Sequence, residues 1–155
     1  MSSSLFATQA LAEQKIGFIN TAQIFQALPQ REVALRKLQD EFKDKEAELQ
    51  ALENQARTKI EKLKRDAELM SQDDVEKMRI EIGQLDSQLQ IKSQSLKQAV
   101  ARREGEERQR LLQVIQDTTQ KIAQSEGYDI VIDVTSMHYG KPEFNLSEKV
   151  IKAIK

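Results

Sequence analysis

Cysteine and tryptophan are absent from this 155-residue chain, and aromatic residues make up only 5% of it. Each shortage excludes something. Without cysteine there is no disulfide, no thiolate nucleophile and no cysteine-ligated zinc, and the lack also suits an oxidising compartment, where a free thiol is a hazard. With so few aromatics, a compact core of ordinary size is hard to fill. No stretch approaches the ~18 apolar residues of a membrane span, so the mature protein is expected to be soluble. An excess charge of one sign is missing too. The 24 basic and 25 acidic residues leave a net charge of -1, and no global field recruits nucleic acid or acidic lipid. The glycines form no phosphate-binding loop. The single histidine, His138, stands beside a predicted turn with no second histidine to join it, which argues against a metal site or a catalytic triad. No enzyme, cofactor or metal is expected.

What remains is a chain with 32% charged and 39% hydrophobic residues. The apolar residues are too many and too regularly spaced for disorder. They suit long helices that bury a narrow stripe and leave the rest in water, which predicts an elongated molecule. Residues 1–12 differ from the rest: Leu5-Phe6-Ala7 and Ala10-Leu11-Ala12 look like the end of a secretory signal, with a small-x-small cleavage site before Glu13. No Lys or Arg precedes Lys15, so a disordered tail is the competing reading.

Lys15-Ile16-Gly17-Phe18-Ile19-Asn20 is short and β-rich and reads as a strand. Asn20 and Thr21 are good N-cap residues for a helix over Ala22–Leu28, which Pro29 then kinks or breaks. A heptad pattern follows. With Leu35 at a, Phe42, Leu49 and Ala56 recur at a, and Leu38, Lys45 and Leu52 fall at d. The phase then slips by four residues and resumes with Ile60, Leu63, Ala67 and Met70, a stutter that locally unwinds a coiled coil without ending it.

Ser71-Gln72-Asp73-Asp74 interrupts the pattern, and either Ser71 with Asp74 or Asp73 with Glu76 offers capping-box chemistry for a new helix. The seam restarts with Met78, Leu85 and Ala99 at a and Ile82, Leu89 and Leu96 at d, Lys92 and Arg103 filling the other slots. Two such helices joined by so short a break should fold back as an antiparallel hairpin, each limb about 70 Å long at ~1.5 Å per residue. Gly83 and Gly105 should bend the helix locally. Arg102–Arg110 contains no apolar side chain, but charges paired at i,i+4 (Arg102 with Glu106, Arg103 with Glu107, Glu104 with Arg108, Glu106 with Arg110) carry the helix through. Leu111, Ile115, Thr118 and Ile122 reopen an apolar stripe, and Gly127 is a natural C-terminal cap.

The period then changes to two. Ile130, Ile132 and Val134 fall on one face and Asp129 and Asp133 on the other, the pattern of a half-buried strand. Gly140-Lys141-Pro142 is a turn, and Ser147 caps a last helix bearing Val150, Ile151 and Ile154. The fold class is therefore α+β, a long antiparallel coiled-coil hairpin with a few short strands drawn from both chain ends. Such strands cannot make a stable sheet alone, and their open edges would template aggregation. Closure against other copies is the expected escape, with Ile16, Phe18, Ile130, Ile132 and Val134 in the shared body.

Three blocks give the sequence a resemblance to a known family: Lys15-Ile16-Gly17-Phe18-Ile19-Asn20 with Ile24-Phe25-Gln26; Ala101-Arg102-Arg103 with Glu106-Glu107-Arg108; and Asp129-Ile130-Val131-Ile132-Asp133-Val134 with Tyr139 and Val150-Ile151-Lys152. In order and spacing they resemble the Skp/OmpH family of periplasmic chaperones of outer-membrane proteins, over essentially all of residues 15–155. The resemblance implies a trimer, a small β-barrel body and three arms around a central cavity that holds unfolded outer-membrane proteins without nucleotide. It also favours the signal-peptide reading of residues 1–12. One departure stands out. Relatives have basic arm tips thought to favour anionic membranes or lipopolysaccharide, whereas residues 57–79 here are nearly balanced, so membrane or lipopolysaccharide contact is not carried over.

The expected organisation is a signal remnant or disordered tail over 1–12, the N-terminal strand and short helix of the body over 13–30, the hairpin arm over 31–110, and the returning helix, strands and C-terminal helix over 111–155. A holding chaperone needs many weak contacts rather than a deep pocket, so that the client stays mobile. The expected client-binding residues are Val75, Ile80, Ile91 and Val100, aliphatics outside the counted seam, together with adaptable Met70 and Met78 near the turn. The rival readings are a cytosolic prefoldin-like chaperone and a structural or adaptor coiled coil. Nucleic-acid binding is disfavoured by the neutral charge and the lack of an aromatic-basic patch.

Overall fold

In the computed structural model, which describes residues 12–155, the chain is α+β. Strand β1 (Ile16–Ile19) leads into helices α1 (Thr21–Ala27), α2 (Pro29–Asp66) and α3 (Gln72–Glu126), then strand β2 (Ile130–Asp133) and helix α4 (Ser147–Ile154). The residues read as a signal remnant lie outside the described residues except for Ala12. The chain divides into two compact units, one formed by the residues up to Arg31 with Arg110–Lys155, the other by Glu32–Gln109.

Local chemistry accounts for most boundaries. The Asn20 side chain accepts a hydrogen bond from the Gln23 amide at 3.0 Å and starts α1, while Pro29 takes the first position of α2, where a missing N–H costs nothing. Lys64 and Arg65 in the last turn of α2, and Asp73 and Asp74 in the first turn of α3, each complement the helix dipole. Between these helices lies a 3-10 turn, Ala67–Leu69. The Ser71 hydroxyl then accepts from the Asp74 amide at 3.1 Å, so of the two capping pairs the sequence offered, Ser71 with Asp74 forms. α3 runs uninterrupted through Gly83 and Gly105. It ends in a Schellman motif: Gly127 has φ 70, its N–H reaches the Gln124 carbonyl, and the Tyr128 N–H reaches that of Ala123 at 2.9 Å.

In the first unit β1 and β2 pair in parallel, with Ile16 opposite Ile130 and Phe18 opposite Ile132. On the other edge of β1, Asn145 forms a single bridge and the Leu146 N–H donates to the Phe18 carbonyl at 2.9 Å. Beneath the sheet, Ile24, Leu28, Ile115, Leu146, Val150 and Ile151 form the buried core with Ile19. Each such side chain taken from water contributes about 1.5–3 kcal/mol.

Two expectations are corrected here. Ser147 is not the cap of α4. The Asn145 side chain accepts from the Ser147 amide, and the buried Ser147 hydroxyl instead accepts from the Asn20 amide at 2.8 Å, tying α4 to the end of β1. The second concerns β2. The side expected inside, Ile130 and Ile132, faces away from this core, and Val131 packs against it. Val134 has already left the strand for a 3-10 turn. The reason is that the aspartates here bind backbone: exposed Asp129 accepts from the Lys15 amide at 2.7 Å, and half-buried Asp133 from those of Thr21 and Thr135 at 3.0 and 2.9 Å.

Candidate functional site

Two surfaces stand out, one in each unit. In the unit Glu32–Gln109, α2 and α3 pack side by side along a thin seam. Ala34, Leu38, Phe42 and Ala56 are buried on α2, and Met78, Ile82, Leu85, Leu89, Leu96 and Ala99 are half-buried on α3. Cross-helix ion pairs fix the antiparallel register, from Lys59–Glu81 through Glu48–Lys92 to Glu41–Arg103. Arg103 is the most heavily used: its guanidinium reaches Glu41 at 3.1 Å, Glu106 at 2.7 Å and Glu107 at 3.2 Å. The hydrogen bonds it donates to these carboxylates raise its pKa above the ordinary arginine value. Of the four i,i+4 pairs expected in this stretch, Arg103–Glu107 is present. Leu35, expected in the seam, is exposed, and Ala34 takes its place. The rotation that brings Lys37 and Glu41 to Glu107 and Arg103 buries Ala34 and Leu38 and turns Leu35 to water.

The six residues expected to meet a client do not form one surface. Met70, Val75 and Ile80 line a common hollow beside the turn. Ile91 borders a separate groove with Leu49 and Ser95, and Met78 and Val100 are half-buried. Ile80 and Ile91 are the most open of the group, at 56% and 70% exposure. Leu69, at 88%, is more exposed than either. Sequence reasoning passed it over, although its place immediately before the break was a usable signal.

In the other unit, the side of the sheet turned from the core carries Ile16, Phe18, Ile130 and Ile132, brought together by the parallel register. Ile16 and Ile130 are 45% and 44% exposed. Phe18 is close to Gly140, where an added Cβ would come within 2.7 Å of the ring. Along the edge of β2 that has no strand partner among the described residues runs a groove of about 570 Å³, bounded by Leu112, Gln116 and Thr119 of α3 and by Val131–Asp133. An apolar sheet face beside an unpaired edge is a surface built to be covered.

Asp133 sits at the end of this edge. Partial burial opposes its ionisation, but hydrogen bonds from Thr21 and Thr135 outweigh it and hold the carboxyl at about 2. A depressed folded-state pKa stabilises the fold above the unfolded value of about 4, and that contribution is lost as pH falls from about 4 through about 2. After allowance for solvent access it amounts to about 1–2 kcal/mol. Asp133→Asn should therefore be less stable than the parent by about that amount at pH 7 and nearly equal to it at pH 2. Thermal unfolding across that range checks this, and a gap independent of pH would contradict it.

No group of three or more His, Asp or Glu able to hold a metal ion occurs among the described residues, and no helix among them is long and apolar enough to cross a membrane. His138 is exposed.

Comparison with known proteins adds four findings. The profile of the family described as Outer membrane protein (OmpH-like) matches residues 15–154. The Chaperone protein Skp of Vibrio cholerae is 70% identical over 155 residues, covering 100% of this chain and 92% of that protein. The protein of the same name from Photorhabdus laumondii is 37% identical over 150 residues, covering 97% and 91%. Among solved structures, an OmpH-like protein from Caulobacter crescentus superposes with a TM-score of 0.78 at 15% identity, covering 92% of this chain and 85% of that one, a likeness of fold.

Proposed function

This chain belongs to the OmpH-like outer membrane protein family, and from that premise we infer that it is a non-enzymatic, ATP-independent holding chaperone of the periplasm that keeps unfolded outer-membrane proteins from aggregating. The observation that carries the reading is the 70% identity, over the whole chain, to a protein named Chaperone protein Skp. The prefoldin-like and adaptor readings have no comparable support.

The working form is a homo-oligomer, a trimer by the family resemblance. Supporting this is the apolar sheet face of exposed Ile16 and Ile130 and half-buried Ile132 beside the unpaired edge of β2, which a second copy can cover with both apolar contact and backbone pairing. The body is assigned to 13–30 and 111–155 and the client-holding arm to 31–110, with clients held between the arms of the assembled copies. Met70, Val75, Met78, Ile80, Ile91 and Val100 are its proposed contact residues. Ile80 and Ile91 are the stronger members because their exposure leaves them free to meet a partner, and Leu69 joins them on the same ground. Weak, dispersed contacts let the client leave for a lower-energy destination, so no nucleotide is needed.

The test is light scattering of an outer-membrane barrel protein diluted from urea, with and without this protein. Aggregation should be suppressed at a modest molar excess, to the same extent with and without ATP. Unchanged aggregation would remove the chaperone reading.

A further inference from the structure

One exposed face of α3, which at Ile91 borders the groove beside Leu49 of α2, differs from most of the hairpin surface. Ile80, Gln84, Ser87, Ile91, Gln94 and Gln98 follow at alternating spacings of four and three, so at ~100° per residue they form one continuous stripe. All are exposed, and none is charged, in a chain of which 32% is charged. Of the charges of this stretch, Glu81 and Lys92 reach across the seam to Lys59 and Glu48, and Asp86 and Lys97 lie off the stripe on its flank. The corresponding stripe of α2 has Arg36, Asp40 and Lys43 toward its start and Glu61 and Arg65 toward its end, and is uncharged only in between. There Asn54 already bonds Gln50 and Arg57. Among the described residues, Gln84, Gln94 and Gln98 make no side-chain hydrogen bond.

A helix face that meets only water is charged or polar, and the absence of charge over about five turns is what sets this one apart. An uncharged face is far less costly to dry than one bearing ions. A glutamine amide offers both donors and an acceptor, which match the N–H and C=O groups of a peptide backbone. We propose that this stripe binds an extended, uncharged segment of the unfolded client, its glutamines bonding client backbone and Ile80 and Ile91 receiving apolar side chains. The proposal rests on the chaperone reading and names the chemistry that reading leaves open. The stripe is about 27 Å long at ~1.5 Å per residue. That length matches about eight residues of extended chain at ~3.3 Å each, close to the ~9–11 of a membrane-spanning β-strand. Recognition of backbone reads no sequence, which suits a chaperone whose clients share a strand architecture rather than a motif.

The experiment places a photoreactive p-benzoylphenylalanine at Gln84 or Gln94, with Lys43 and Arg65 on α2 as comparison sites, in the full assembled chain. A urea-diluted outer-membrane barrel protein is then added. Cross-linking to the client should be about fivefold stronger from the two α3 sites. Separately, Gln84→Glu, Gln94→Glu and Gln98→Glu together should weaken client binding about tenfold, with helix content and assembly size unchanged. Lys43→Gln with Arg65→Gln should change it less than about twofold. Equal cross-linking from both helices, or cross-links from the stripe to a second copy of this chain instead of the client, would overturn the proposal. So would full client binding by the triple variant beside an active parent. A parent that fails to suppress aggregation would instead remove the chaperone reading, and this proposal with it.

Discussion

Gly17→Val should lower the thermal midpoint of the protein by about 10 °C, a loss of about 3 kcal/mol. Gly17 lies in β1 on the core side of the sheet, opposite Val131. Even a single added Cβ would sit 2.9 Å from Tyr128 Cε1 and 3.2 Å from Leu146 Cδ1. Neither neighbour is free to retreat. Tyr128 is fixed by the Schellman bond of its N–H to Ala123, and its ring lies under the Lys15 ammonium, 4.1 Å from the centroid. Leu146 is fully buried, and its N–H is bonded to Phe18. The added methyls must therefore displace the strand itself, not merely a side chain. The check is a thermal melt followed by near-ultraviolet circular dichroism, with Tyr128→Ala and the double variant alongside. The double variant should recover about 1 kcal/mol relative to additivity, because removing the ring opens the space that valine needs. A near-neutral Gly17→Val would mean that the Tyr128 ring does not lie against this strand.

That glycine shows where sequence alone runs out. The β-rich run from Lys15 marked a strand, but nothing local to it revealed that Tyr128, more than a hundred positions away, would press on its middle. Signals that act within a few residues were legible: Asn20 and Ser71 as caps, Pro29 at a helix start, Gly127 at a helix end. The change from a seven-residue to a two-residue period located β2. Long-range roles were not legible. Ser147 looked like a cap because serine usually is one, and a backbone N–H from the other end of the chain claimed its hydroxyl. Leu35 counted as seam because it is apolar, yet in the rotation of α2 that carries Glu41 to Arg103 the smaller Ala34 is the one buried. Around β2 the alternation misled because Asp129 and Asp133 are placed by the backbone N–H groups of Lys15 and Thr21 that they accept from, partners at the other end of the chain.

The orientation of β2 also bears on the proposed assembly. Were Ile130 and Ile132 spent on the chain's own core, little apolar sheet surface would remain for another copy. Because Val131 fills that role, the outer face keeps three isoleucines on two strands in register. Ile132→Asp should therefore leave the chain folded and break the proposed trimer into monomers. Ile132 is only half-buried and stands outside the core cluster of Ile24, Ile115 and Val150, so a lone chain can keep the aspartate hydrated at the rim of the α3 groove, and helix content should be retained. In the assembly each copy would bring an unpaired carboxylate into an apolar contact, at a cost of about 3 kcal/mol per copy. Copies meeting at a shared interface multiply that cost. Sedimentation velocity should show one third of the parent's mass, and suppression of client aggregation should be lost with it, since a single hairpin encloses nothing. A variant that still sediments as the parent does would place the intersubunit contact elsewhere on the chain, with the groove along α3 the next surface to test.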